Sequence, residues 1–304
     1  MIGANIKLEE IMIKRNYFKL LKSISTFVIC TILLVISIVS FTVSLFEKNS
    51  FIHQLNSTSP DINIDALNNL IEHYNGFKLI FNFWFVSDLY FIFVAVTLLF
   101  LGVFLSYQIQ KHKEEAYGNL LVSRIGYKKY LDDTLVSQSL YIFSIVTITN
   151  LISLTIAFIF GGMGCDTDLS SFDINIIQAL IIIFVQNLFL SIVMVLINSC
   201  TLLASCFIKN KYILQAFPLF MFLILPQLIV STLGNVSSFI GNITLPFVLW
   251  NELMAIDNII NDYELNGMFS NTEIIYYLIP ILTYFILFIV LYCINLKKNE
   301  RDYI

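Results

Sequence analysis

Apolar residues gather into six long runs, at 24–46, 83–107, 136–160, 176–207, 212–233 and 274–296, separated by shorter polar connections. A helix crossing a hydrocarbon layer about 30 Å thick needs about 20 consecutive apolar residues. All six runs qualify, so the pattern predicts six spanning helices. The fourth is longer than needed and is expected to tilt or to project beyond the bilayer. Pro218 and Pro226 in the fifth run and Pro280 in the sixth are expected to kink their helices, because proline lacks the amide donor and crowds the preceding turn.

The remaining segments are shorter. Ile6, Ile11, Ile13, Phe18 and Leu21 alternate with Lys and Glu ahead of the first run. This predicts an amphipathic helix lying in the membrane interface, an ordinary basic flank being the simpler reading. The connection over 47–82 is polar and asparagine-rich, with a helical candidate from Ile62 to Tyr74. In 234–273, Phe239–Trp250 is apolar but interrupted by Gly241 and Pro246, and a helix-like run follows from Asn251 to Tyr263. A short re-entrant or interfacial element is expected there. The first run is longer than a signal-peptide core and has no small-x-small site before Glu47, so it reads as a retained helix. The predicted fold class is an all-α integral membrane protein: one domain over 1–304, six transmembrane helices and an N-terminal interfacial helix.

Composition excludes a soluble globular domain. The chain is 58% hydrophobic and 12% charged, against roughly 25% charged residues in soluble domains. The basic residues are distributed unevenly. Lys7, Lys14, Arg15, Lys19 and Lys22 precede the first run; Lys111, Lys113, Arg124, Lys128 and Lys129 lie between the second and third. Lys209 and Lys211 lie between the fourth and fifth, and Lys297, Lys298 and Arg301 follow the last. That is 15 of 17 basic residues on one side, leaving Lys48 and Lys78 on the other. By the positive-inside bias both termini are expected in the cytoplasm, which an even number of spans requires. The opposite connections carry twelve acids, among them Asp61, Asp65, Glu72, Asp166, Asp168, Asp173, Glu252, Asp257, Asp262 and Glu264. This is a by-product of the same bias or, functionally, a negative vestibule for cations. Cys30, Cys200, Cys206 and Cys293 fall in apolar runs, where packing explains them. Cys165 stands alone in a connection, so no disulfide is expected.

Several chemistries are missing. There is no Gly-x-x-x-x-Gly-Lys-Ser/Thr loop, and His53, His73 and His112 form no His-Glu-x-x-His pattern. Glu114–Glu115 is followed by Asn119, where the Glu-Glu-x-x-x-Arg motif of membrane proteases needs arginine. No catalytic residue, metal ligand, cofactor or nucleic-acid partner is therefore expected in this chain. Within the runs Asp88 is the one formal charge, near the start of its helix. Snorkelling outward or pairing with Lys78 would explain it; a place in a substrate path is the alternative. Gln178, Gln186, Asn187, Asn198, Gln215 and Gln227 are polar positions that in hydrocarbon commonly join helices by hydrogen bonds. Asp88, Gln186 and Asn187 are the substrate-path candidates. Paired acids and bases inside the runs are lacking, which argues against a proton- or ion-coupled transporter.

The connection KHKEEAYGNLLVSRIGYKKYLDDT, Lys111–Thr134, combines acids, bases, a central Gly118 and the apolar pair Leu120–Leu121. Here the chain resembles the permease subunits of ABC-2 type ABC exporters, in which this connection carries a Glu, a following Gly, a Leu-Leu pair and a basic stretch. Glu114, Glu115, Gly118, Leu120, Leu121, Lys128, Lys129, Tyr130 and Leu131 follow that order, and the six-span layout extends the resemblance over the whole chain. The resemblance implies a coupling helix that takes force from separate ATPase subunits, with Leu120 and Leu121 filling a cleft and Glu114, Glu115 and Arg124 setting orientation. It also implies two ATPase copies holding the ATP and Mg, and a second permease copy or a related permease. The setting would be the lipid of a bacterial cell membrane, the cargo a peptide or antimicrobial peptide. A permease for a drug or lipid-like molecule, or a non-transport scaffold or sensor, is the alternative.

Overall fold

The computed structural model describes residues 13–56, 74–105, 122–123, 125–162, 166–169, 172–205, 207–208, 210–234, 237, 241, 244–248 and 271–302. The short helix α1 runs over 13–21. It is followed by α2 (Ile24–Asn56), α3 (Gly76–Val86), α4 (Asp88–Leu105), α5 (Tyr127–Gly161), α6 (Ile176–Ala204), α7 (Lys211–Gly234) and α8 (Asn271–Asp302). Six of these, all but α1 and α3, are long and apolar enough to cross a membrane. The candidate from Ile62 to Tyr74 lies outside the described residues except for Tyr74, and the one over Asn251–Tyr263 lies outside them, as do Cys165 and Cys206; half of Phe239–Trp250 is described, including a single 3-10 turn at Leu245–Phe247.

Three features depart from the expected pattern. The run at 83–107 is not one helix. It is broken at Ser87, whose extended backbone (φ -83°, ψ 128°) separates α3 from α4. The third span starts at Tyr127 rather than near 136, extending through Lys128, Lys129, Asp132 and Asp133. Finally, a two-stranded antiparallel ribbon, β1 (Asp166–Leu169) and β2 (Phe172–Asn175), precedes α6, pairing Asp166 with Asn175 and Leu169 with Phe172. Asn175 then caps α6 in a capping box: its Oδ1 accepts from the Gln178 amide at 2.9 Å, and Gln178 Oε1 accepts from the Asn175 amide at 3.1 Å. Gln178 therefore starts a helix instead of joining two. The prolines are accommodated without ending their helices. α8 continues through Pro280, and α7 absorbs Pro218 and Pro226 by alternating α-helical turns with π turns at Phe220–Ile224 and Val230–Gly234.

As in membrane bundles, small polar residues join apolar ones at the helix contacts, while the outward faces are apolar. On α2, Leu33, Ser37, Ser40, Phe41 and Ser44 are buried, while Ile32, Val35, Val39, Val43 and Phe46 are exposed. Cross-helix bonds set direction. Thr26 Oγ1 meets Tyr141 Oη at 2.6 Å and Ser37 Oγ meets Ser153 Oγ at 3.0 Å, so α2 and α5 run parallel. Gln138–Asn198 (3.2 Å) and Asn150–Asn187 (2.8 Å) place α6 antiparallel to α5. Tyr127 donates to Asn295 and Tyr292 to Asp132, so α8 is also antiparallel to α5. This order gathers Lys128, Lys129, Lys211, Lys297 and Lys298 at one end of the bundle, the basic end, and Glu47 and Asp88 toward the other, the acidic end. α1 lies against α5 through a Tyr17–Ser144 hydroxyl contact at 2.9 Å. Its Leu20 is buried and Lys14, Arg15 and Lys19 are exposed.

An aromatic cluster holds α3 and α4 against α2. Phe41, Phe83, Trp84, Tyr90 and Phe93 are all within 1% of full burial, and Phe83 meets Tyr90 and Phe93 edge-to-face at 5.3 and 5.6 Å between centroids. Such ring pairs add about 0.5–1.5 kcal/mol beyond the area they bury. At the start of α3 the chain passes so close to the end of α5 that a Cβ on Gly161 would lie 2.6 Å from the Asn75 carbonyl carbon. The Gly76 amide donates to the Gly162 carbonyl there.

Candidate functional site

The break at Ser87 builds the site. Ser87 Oγ accepts from the Leu89 amide at 3.2 Å, capping α4, and also accepts from Ser40 Oγ of α2 at 3.1 Å. Asp88 then falls in the first helical turn, where the positive end of the helix dipole favours a carboxylate, and its side chain is exposed. In a continuous helix over 83–107 Asp88 would be an interior position without a cap. The break sets it at the mouth of a helix instead.

Two clefts meet at Asp88. The smaller, about 370 Å³, is polar: Ser40, Ser44 and Glu47 of α2, Asn82 of α3, Ser87 and Asp88 line it, with Val43, Val86 and Leu89. The larger, about 620 Å³, lies between α4 and α7 and is mainly apolar, with Phe91, Ile92, Val230, Leu245 and Val248 around Asp88 and Gln227. Its shape follows from one residue near the other end of the two helices. A Cβ on Gly102 would sit 2.0 Å from the Gln215 carbonyl oxygen and 3.2 Å from Pro218 Cδ, so α4 and α7 cross there backbone against backbone. From that crossing they splay apart toward Asp88 and Gln227, and the cleft is the space between them.

Glu47 is held at the rim of the polar cleft. The Tyr74 hydroxyl donates to Glu47 Oε2 at 3.4 Å and accepts from Asn82 Nδ2 at 3.3 Å. Burial of the Tyr74 ring, followed by the adjacent Glu47 carboxylate, pushes the phenol up to about 12, so it remains a donor across the physiological range. Lys48, the basic neighbour in sequence, donates instead to the Tyr74 carbonyl at 3.2 Å. Among the described residues, no basic side chain lines either cleft. No group of three His, Cys, Asp or Glu among them could hold a metal ion.

The three substrate-path candidates are not brought together. Asp88 lines both clefts; Gln186 and Asn187 are not among the described lining residues of either. Gln186 is 1% exposed beside the Tyr90 hydroxyl. Asn187 accepts from Asn150 Nδ2 and turns its own amide toward Thr147 Oγ1 at 3.5 Å, joining α6 to α5. Glu114, Glu115, Gly118, Leu120, Leu121 and Arg124 lie outside the described residues. Sequence reasoning missed Glu47, Ser40, Ser44 and Asn82 as residues that line a cleft with Asp88. The signal for the break itself was present: Ser87-Asp88 reads as an N-cap followed by a first-turn acid. Set against known proteins, the chain matches no family model, no curated protein and no solved structure.

Proposed function

We propose that this chain is the membrane-spanning permease subunit of an ABC-2 type exporter in a bacterial cell membrane, working with a second permease copy or a related permease and with two separate ATPase subunits that hold ATP and Mg. The observation that carries this reading is the connection from Lys111 to Thr134. Its part before Tyr127 joins the second and third spans, its last residues forming the first turns of α5, on the side that the basic residues assign to the cytoplasm, and in it Glu114, Glu115, Gly118, Leu120 and Leu121 stand in the order of a coupling segment. A permease without a nucleotide loop must receive its work through such a contact: an apolar knob to fill a cleft, and charges to orient it. ATPase closure would then push this segment and reshape the helices that follow it. Six apolar helices and a cleft at the acidic end are compatible with a path of this kind, with a peptide as cargo.

The test is co-purification with an ATP-binding cassette protein encoded beside this chain, followed by Leu120→Asp/Leu121→Asp. Loss of the complex, with spans and expression intact, supports the contact. A complex that keeps full ATPase coupling in the double variant would remove the assignment. Labelling of intact cells that reaches 114–129 from the medium would remove the permease reading itself.

A further inference from the structure

We propose that the paired clefts at Asp88 form a binding site for an amphipathic organic cation, its charge held between Asp88 and Glu47 and its apolar body lying against Phe91, Ile92, Val230 and Leu245. The larger cleft, about 620 Å³, falls within the roughly 300–1,000 Å³ of ligand-sized pockets, which are lined by apolar groups with a few polar ones to fix orientation. The adjoining cleft of about 370 Å³ supplies those polar groups and a second carboxylate.

The helix dipole alone accounts for an acid at position 88. It does not account for Glu47, which lies on a different helix and shares the polar cleft with Asp88 and Asn82. Both carboxylates are exposed at the acidic end, open to a ligand, and no described lining residue supplies a counter-charge. An anion would be repelled by both acids. A bare inorganic cation would leave the apolar cleft unused, and among the described residues there is no cluster of three metal-binding side chains. A molecule with one cationic end and a flat or branched apolar body uses both halves of the site.

Binding is a property of this chain alone, so it can be tested without the ATPase on which the permease reading depends. The purified full chain in nanodiscs of neutral phosphatidylcholine is titrated with rhodamine 6G by fluorescence polarisation, empty nanodiscs giving the background. Fluorescein (an anion of similar shape) and choline (a cation without the apolar body) are the comparison probes. Saturable rhodamine binding is expected, with little from fluorescein or choline. Asp88→Asn, verified as folded by its melting curve, should weaken rhodamine binding about fivefold, the loss of one partly exposed ion pair. Val230→Trp, which fills the apolar cleft without changing charge, should weaken it as well. Equal affinity in folded Asp88→Asn and wild type overturns the proposal, as does fluorescein binding as tightly as rhodamine. If the chain forms an active complex with an ATPase yet fails these tests, this site falls and the permease reading stands; probe binding with no ATPase partner gives the reverse.

Discussion

Replacing Gly102 by alanine sets two effects of known size against each other. In a helix interior, alanine is favoured over glycine by about 0.8–1.0 kcal/mol. Against that stands the crossing of α4 and α7. The new methyl would lie 2.0 Å from the Gln215 carbonyl oxygen and 3.0 Å from its carbonyl carbon. The first contact is roughly 1.5 Å inside ordinary separation. The atoms it meets are backbone, so no rotamer change relieves the overlap; one helix must move off the other. Overpacking of this kind typically costs about 1–3 kcal/mol, and small residues at such crossings are what allow membrane helices to associate closely. The clash is expected to win, the difference of the two ranges leaving Gly102→Ala about 1 kcal/mol less stable. The assay is unfolding in mixed micelles with rising SDS, followed by tryptophan fluorescence. Leu99→Ala serves as the control, since Leu99 is 41% exposed on the same helix. A Gly102→Ala protein as stable as wild type, or more stable by the propensity difference, would refute the backbone crossing and with it the account of why a cleft lies between α4 and α7.

Two further outcomes follow from the packing and the rim. The Asn150–Asn187 bond should show a coupling of about 0.5–1.5 kcal/mol in a double-mutant cycle with Asn150→Leu and Asn187→Leu; additive effects would mean that the two amides do not bond. Tyr74 should titrate late, at about 12 against the ordinary 10.0. Because its folded value is raised, its contribution to stability is complete below the unfolded value and is lost as pH rises from about 10 toward 12. Ultraviolet difference titration of wild type against Tyr74→Phe isolates the group, and Glu47→Gln should bring its transition down. A Tyr74 that titrates near 10 would show that the ring is neither buried nor beside Glu47.

Much of the architecture was legible from residue order because lipid imposes a local rule. Every backbone polar group in hydrocarbon must be satisfied within its own segment, so each span declares itself as about 20 apolar residues in a row. Six such runs, and the segregation of Lys and Arg, can be read without knowing any contact. The errors have physical causes as well. By hydropathy residues 127–135 fall in a connection, because Lys128, Lys129, Asp132 and Asp133 lower it, yet α5 runs through them, with Asp132 accepting from Tyr292 and Tyr127 donating to Asn295. Apolar continuity across 83–107 hid the break at Ser87, since hydropathy does not register a single residue turned into an extended conformation.

The site belongs to the other category. The chain itself determined that Asp88 is a lone acid within its apolar runs and that Ser87 could cap a helix. Only the tertiary structure decided that Glu47 and Ser44, some 40 positions earlier, share a cleft with Asp88, and that Gln227 faces it from α7. The reason is that hydropathy is a property of one segment in its solvent, whereas a cleft is the space left where two helices diverge. That divergence depends on where their backbones touch, here on the absence of a side chain at Gly102.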